Sequence, residues 1–153
     1  MTPDKVCFDF IKSREGLKLN AYRDSAGIWT IGYGIIHYED GSPVKRGDVI
    51  TQERADKLLE DEIIKKSLKV NAAIKSTKLS QNQFNALVSF AYNVGTGALL
   101  SSTLLKKVLA NRNDPTIRAS FLVWNKAHVD GKLKPIAGLT ARRKAEADLY
   151  FSA

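Results

Sequence analysis

Residues 81–93 constrain the fold most, because this stretch is apolar on nearly every side of a helix. The apolar positions point in several directions around the helix axis: Phe84, Ala86, Leu87, Val88, Phe90 and Ala91. A helix with this pattern lies at the centre of a helical bundle. Ser80 and Gln83 form a capping-box pattern at its start, and Gly95 can end it in a left-handed conformation. The second half of the chain is therefore predicted to be mainly helical.

The first half has the pattern of a small antiparallel sheet followed by a long helix. Residues 17–21 alternate between apolar and polar, 24–27 are a turn signal, and 28–33 are rich in β-branched and aromatic residues. Thr51 is expected to be the N-cap of the next helix, in which the apolar residues recur with helical spacing to about residue 74, a length of more than ~30 Å. A helix of that length between a strand-rich and a helix-rich stretch predicts a connection between two lobes.

Two end helices complete the predicted α+β arrangement. An N-terminal helix of residues 3–13 is expected to have Thr2 as its N-cap. A last helix is expected to start at Thr140 and to turn Ala145 and Leu149 inward. Cys7 lies on the apolar face of the first helix. It is the only cysteine in the chain, so no internal disulfide is possible.

The charge balance is basic, with 24 Lys and Arg against 16 Asp and Glu. A positive protein attracts polyanions such as nucleic acid, anionic membranes or acidic wall polymers. Because the basic residues are spread along the chain, we expect general attraction rather than a nucleic-acid-binding arm. His37 and His128 lack companion ligands at metal spacing, so neither a metal site nor a cofactor is expected.

Two acids and a hydroxyl stand at suggestive positions in the first half. Eight residues separate Glu15 from Asp24, and five separate Asp24 from Thr30. Cleavage of a glycosidic bond needs one protonated and one ionised carboxyl group. Glu15, where the first helix ends, can hold the proton, while Asp24 at the hairpin turn stays ionised and Thr30 holds a water. The spacing alone is weak evidence, since most such acids are solvated surface and residues 24–27 are an ordinary turn.

The residues around these three resemble the phage-type lysozyme (endolysin) family. The stretch EGLKLNAYRDSAGIWTIGYG, from Glu15 to Gly34, follows the family pattern of Glu, eight residues, Asp or Cys, five residues, Thr, then I-G-x-G. The resemblance continues at residues 83–95, at 102–105, at Trp124 and at 138–146. It therefore covers nearly the whole chain.

The resemblance implies a single lysozyme-like domain over residues 1–153. Its small antiparallel β N-lobe covers about 13–60, and its connecting helix about 51–74. The C-lobe covers about 75–153 together with the N-terminal helix of residues 3–13. A cleft between the lobes is expected to take the glycan strand of peptidoglycan.

The resemblance also implies an activity and a set of site residues. The family hydrolyses the β-1,4 bond between N-acetylmuramic acid and N-acetylglucosamine, usually with inversion, and so lyses the host cell. Glu15 is then the general acid, and Asp24 and Thr30 position or activate the water. The residues expected to bind substrate are Ile36, Tyr92, Asn93, Thr103 and Arg143.

Partners and location are expected from the same reasoning. The partner is a peptidoglycan glycan strand, with no nucleic acid, no stable membrane insertion and a monomeric protein. No apolar run suits a membrane span or a cleavable signal peptide. We therefore expect synthesis in the host cytoplasm and release to the wall through a lesion made by a holin.

Two alternatives stay open on the sequence. A lytic transglycosylase acts on the same substrate but closes a 1,6-anhydro ring without water, which leaves Asp24 with little to do. A basic, non-catalytic module that binds cell walls or nucleic acid needs neither Glu15 nor Asp24 for chemistry.

Overall fold

The computed structural model describes residues 1–152 and confirms the α+β class. Backbone proximity divides the described chain into two compact units, one of residues 8–65 and one that joins residues 1–7 to those from Lys66 onward. The elements are α1 (Lys5–Arg14), β1 (Lys18–Arg23), β2 (Trp29–Gly32), α2 (Gln52–Ile74), α3 (Gln81–Val94), α4 (Thr96–Ser101), α5 (Thr103–Ala110), α6 (Ile117–Leu122), β3 (Lys126–Val129), β4 (Lys132–Pro135) and α7 (Ala137–Tyr150).

The predicted hairpin is present in the unit of residues 8–65. Strand β1 pairs antiparallel with β2, and Tyr22 lies opposite Thr30. After β2 the chain reverses through Gly34, which has a φ of 88°, so that Ile31 and Ile35 exchange backbone hydrogen bonds of 2.9 Å. Beyond β2, the backbone forms isolated bridges between Ile31 and Ile35 and between His37 and Pro43.

Side-chain caps set the starts of α1 and α2. The first helix begins at Lys5 with Asp4 as its cap, since Asp4 Oδ1 accepts the Cys7 N–H at 3.2 Å. The prediction of Thr2 as the cap is therefore wrong. The second helix is capped by Thr51 as predicted, and its 23 residues span roughly 34 Å.

Helix α3 is the centre of the other unit, as its apolar pattern predicted. Phe84, Leu87 and Phe90 are fully buried. The ring of Phe90 packs edge-on against Phe121 and Trp124, with centroids 5.8 and 5.6 Å apart. Ser80 and Gln83 form the predicted capping box. Within residues 1–152, no helix combines the length and the apolarity that crossing a bilayer requires.

The last helix differs most from its prediction. Helix α7 begins at Ala137, and its buried residues are Arg142, Arg143, Glu146, Ala147 and Tyr150. Ala145 and Leu149 are only half-buried, so the predicted inward face is wrong. The apolar pattern misled because charged side chains occupy the inward face and pair with one another.

Candidate active site

Glu15 directly follows the last residue of α1. Its N–H donates to the carbonyl of Ile11 at 3.0 Å, which extends the helical hydrogen bonding by one residue. The side chain is half-buried. The position of this carboxyl group is therefore set by how firmly the end of α1 is held.

A small polar network holds that end of the helix. Lys12 Nζ lies 3.2 Å from Asp56 Oδ2 on α2, and Asp56 Oδ1 accepts hydrogen bonds from the Tyr33 hydroxyl at 2.8 Å and Gln52 Nε2 at 2.9 Å. Burial by itself raises the pKa of Asp56, but the bonds from Tyr33, Gln52 and Lys12 outweigh it and lower the pKa. The network thus ties the last turn of α1 to α2 and to the residue that follows β2.

Asp24 organises the hairpin turn through one of its two carboxylate oxygens. Oδ1 accepts the backbone N–H groups of Ala26 and Ile28, each at 2.9 Å. The Asp24 N–H donates to the Ile28 carbonyl, and Gly27 closes the turn with a φ of 80°. No residue from 1 to 152 donates a hydrogen bond to the second oxygen, Oδ2, which therefore remains available as an acceptor.

Thr30 lies on β2 within the same hairpin and is 3% exposed. Its hydroxyl donates to the carbonyl of Ile28 at 2.9 Å. The structure therefore brings Asp24 and Thr30 together around one residue, Ile28. Glu15 belongs to the same compact unit, where it directly follows the last residue of α1.

The residues expected to bind substrate lie in both units. Ile36 is 39% exposed and belongs to the unit of residues 8–65. In the other unit, Tyr92 is half-buried, while Asn93 and Thr103 are exposed. Asn93 and Thr103 line a cavity of about 770 Å³, whose other lining residues are Val94, Ser101, Ser102, Val123, Trp124, Lys126, Leu133 and Leu139. This cavity mixes an apolar wall with hydroxyl, amide and ammonium groups.

Arg143 has no exposed surface. Its Nη2 donates to Asn93 Oδ1 at 2.8 Å, its Nε lies 2.8 Å from Glu146 Oε1, and its guanidinium stands 5.2 Å from the Phe90 ring centroid. The side chain is therefore enclosed and paired, not presented to the cavity. Its hydrogen bond to Asn93 connects it to a residue that lines the cavity.

A buried acid that was not among the predicted site residues completes this cluster. Glu146 is fully buried, and its Oε2 accepts the Ser89 hydroxyl at 2.5 Å and Arg142 Nε at 3.4 Å. Burial raises the pKa of Glu146 and lowers that of Arg143, and the attraction between the two opposes both shifts. The signal available in the sequence is the three- and four-residue spacing from the arginines to Glu146.

Neither histidine belongs to a metal-binding group. No set of three or more His, Cys, Asp or Glu side chains within residues 1–152 is close enough to share an ion.

Comparison with known proteins identifies the family. The sequence matches the phage lysozyme family over residues 12–146. It is 44% identical to an endolysin of Acyrthosiphon pisum secondary endosymbiont phage 1, over 94% of this chain and 93% of that protein. Among solved structures, it is similar to the endolysin of Escherichia coli O157:H7 phage FAHEc1, with 44% identity, a TM-score of 0.91, and coverage of 99% of this chain and 94% of that one.

A second similar structure is that of a muramidase domain. The muramidase domain of SpmX from Asticaccaulis excentricus is 33% identical, with a TM-score of 0.86 over 98% of this chain and 97% of that one. The family match covers most of the residues and includes Glu15, Asp24 and Thr30. The chain belongs to the phage lysozyme family and is a lysozyme-type glycoside hydrolase of peptidoglycan.

Proposed function

We propose that the chain hydrolyses the β-1,4 bond between N-acetylmuramic acid and N-acetylglucosamine with inversion. Glu15 is the general acid, and Asp24 and Thr30 hold and activate the water. The observation that carries this assignment is the hairpin, in which the carboxylate of Asp24 and the hydroxyl of Thr30 both bind the backbone of the same residue, Ile28.

The donor and acceptor pattern of the hairpin suits an attacking water. Thr30 Oγ1 already gives its hydrogen to the Ile28 carbonyl, so it meets a water as an acceptor. The Oδ2 atom of ionised Asp24 is also an acceptor. A water that donates both hydrogens to these atoms keeps a lone pair for the anomeric carbon.

The reaction is then a single displacement at the anomeric carbon. The water oxygen bonds to the anomeric carbon and its proton passes to Asp24, while Glu15 gives a proton to the departing glycosidic oxygen. Attack on the face opposite the leaving group inverts the configuration at that carbon. The polar network of Lys12 and Asp56 keeps the end of α1, and with it Glu15, in place during this step.

The residues proposed to contact the substrate are Ile36, Tyr92, Asn93 and Thr103. Arg143 acts indirectly, through Asn93. Arg143 donates a hydrogen bond to the carbonyl oxygen of the Asn93 side chain. This leaves the amide nitrogen of Asn93, which is a donor, for contact with substrate. Such a donor suits the acetamido carbonyl of an N-acetylated sugar, and Arg143 is a positioning residue.

Clearing of a cell-wall suspension tests the catalytic assignment. Glu15→Gln keeps the size of the side chain and removes the transferable proton, so the initial rate is expected to fall by at least about 100-fold. Glu53→Gln is the matched control, because Glu53 is an exposed acid on α2 in the same unit. A non-catalytic binding module predicts that Glu15→Gln clears the wall as fast as the unmodified chain.

The products distinguish hydrolysis from the transglycosylase reaction. Hydrolysis leaves reducing muramic acid ends, and NMR of the first product formed is expected to show the α-anomer. Mass spectrometry that finds 1,6-anhydro ends instead would overturn the role given to Asp24. Dependence on a holin, synthesis in the host cytoplasm and the monomeric state stay predictions from the sequence.

A further inference from the structure

The net positive charge of the chain comes from one segment. Residues 63–113 contain no Asp or Glu, whereas they contain eight basic residues, namely Lys65, Lys66, Lys69, Lys75, Lys78, Lys106, Lys107 and Arg112. The whole chain has 24 basic and 16 acidic residues, so the remainder has sixteen of each sign and is neutral. The basic residues are dispersed along the chain, whereas all of the acidic residues lie outside this segment.

This acid-free segment forms a groove with an apolar floor and a basic rim. The C-terminal half of α2 meets α4 and α5 around a cavity of about 440 Å³, lined by Lys69, Ala72, Ala73, Lys75, Leu100, Leu105, Lys106 and Leu109. Three of these eight side chains are exposed lysines. None of the three forms an ion pair with any residue in the described part of the chain.

The apolar part of the groove also reaches the surface. Leu100 is 57% exposed and Leu109 is 36% exposed, and Leu68, one turn before Ala72 on α2, is 65% exposed. Leucines at this exposure next to unpaired lysines form an amphipathic surface. Membrane interfaces bind such surfaces through buried apolar area together with attraction to anionic lipids.

We propose that this lysine-ringed groove docks the protein onto the surface of an anionic phospholipid bilayer. The ammonium groups of Lys69, Lys75 and Lys106 bind lipid phosphates, and the leucines contact the upper acyl chains. Sites for single-stranded nucleic acid need aromatic side chains on which bases stack, and none lines this groove. A wall polymer of sugars and phosphates gives the exposed leucines no apolar partner.

Co-sedimentation of the full chain with vesicles at low salt tests the proposal. Vesicles of equal parts phosphatidylglycerol and phosphatidylcholine are expected to bind the chain, and vesicles of phosphatidylcholine alone are not. One lysine close to an anionic leaflet changes binding by roughly fivefold. The triple variant Lys69→Gln, Lys75→Gln, Lys106→Gln is therefore expected to bind about 100-fold more weakly.

Two further sets of variants separate this groove from general charge. Lys132→Gln, Lys134→Gln, Lys144→Gln removes the same charge from exposed positions of the same unit, and a loss of only a few-fold is expected. Leu100→Ser and, separately, Leu68→Ser leave the charge unchanged and are expected to weaken vesicle binding several-fold, with melting curves that verify folding.

Several results would overturn the proposal. The first is that the chain does not bind anionic vesicles. The second is that the two triple lysine variants lose vesicle binding equally. The third is that neither leucine variant changes vesicle binding. A DNA oligonucleotide that binds at least as tightly as the vesicles, with the same sensitivity to the first triple, would assign the groove to nucleic acid instead. Glu15→Gln is expected to bind vesicles normally. The proposal of membrane docking and the catalytic role of Glu15 can therefore be contradicted separately.

Discussion

Asp24 and Thr30 bind opposite backbone groups of the same residue. Asp24 Oδ1 accepts the N–H of Ile28, and Thr30 Oγ1 donates to the carbonyl of Ile28, each at 2.9 Å. One residue of the hairpin therefore fixes the orientation of two side chains that lie six positions apart in the sequence. The tightness of the turn and the geometry of the candidate site are the same structural feature.

Substitutions at Asp24 should separate stability from activity. Asp24→Asn keeps a carbonyl oxygen for the Ala26 and Ile28 amides but removes the charge, so activity on cell walls is expected to fall about 100-fold or more. Asp24→Ala loses both turn hydrogen bonds as well, and its free energy of unfolding should fall by about 1–2 kcal/mol more than that of the Asn variant. Urea unfolding and wall clearing measure the two effects. Normal activity of Asp24→Asn would contradict the assignment.

The contribution of Thr30 to activity should depend on its hydroxyl group more than on the shape of its side chain. Thr30→Val keeps the branched side chain, but it removes the acceptor for water and leaves the Ile28 carbonyl without one of its donors. We expect a loss of about 1 kcal/mol in unfolding free energy and a rate reduction of about 10- to 100-fold. Thr30→Ser restores the hydroxyl and should keep most of the rate in the same assay. A valine variant as active as the serine variant would show that this hydroxyl holds no water.

The buried acid of α7 should be more important for stability than an exposed acid on the same helix. Glu146→Gln leaves the guanidinium groups of Arg142 and Arg143 buried without their counter-charge, so we expect a loss of about 3–5 kcal/mol in unfolding free energy. Asp148, which pairs with Arg118, is 59% exposed, and Asp148→Asn should cost less than about 1 kcal/mol. Chemical denaturation of both variants measures the difference. Equal losses would mean that burial adds nothing to the importance of Glu146.

Acid should weaken the network that holds the end of α1. The pKa of Asp56 is lower in the folded chain than its ordinary value. A lowered pKa means that the stabilisation is fully present above about pH 4, the unfolded value, and is lost as the pH falls through the folded one. The unfolding free energy of the unmodified chain should therefore exceed that of Asp56→Asn at neutral pH, and the gap should close in acid. A gap that stays constant from neutral pH to below about pH 3 would contradict this assignment.

Cys7 should be chemically inert until the chain unfolds. The thiol has no exposed surface, and burial, followed by the negative charge of Asp4, raises its pKa to about 12. Only the thiolate reacts with disulfide reagents, so native protein should not react at mildly alkaline pH, and denatured protein should react with one equivalent. The single cysteine makes the colour change unambiguous. Rapid reaction under native conditions would show that α1 opens readily.

Local patterns were sufficient for most elements. The alternation in residues 17–21, the turn signal after Arg23 and the cap at Thr51 depend on neighbours within a few positions, and the structure agrees with each of them. Helix α3 was predictable because a helix that is apolar all round can only be buried. The family was recognisable because Glu15, Asp24 and Thr30 lie close together in one continuous motif.

The sequence by itself determined the α+β class, the central helix, the hairpin with Asp24 at its turn, and the family. Only the tertiary structure decided that α7 turns charged side chains inward, that Arg143 is bonded to Asn93, and that the lysines of the acid-free segment surround an apolar groove. Each outcome depends in part on residues far along the chain, such as Ser89 for Glu146 and Asn93 for Arg143. A buried ion pair is tolerated only where further hydrogen bonds satisfy it, and the spacing of charges along one helix does not show whether such partners exist.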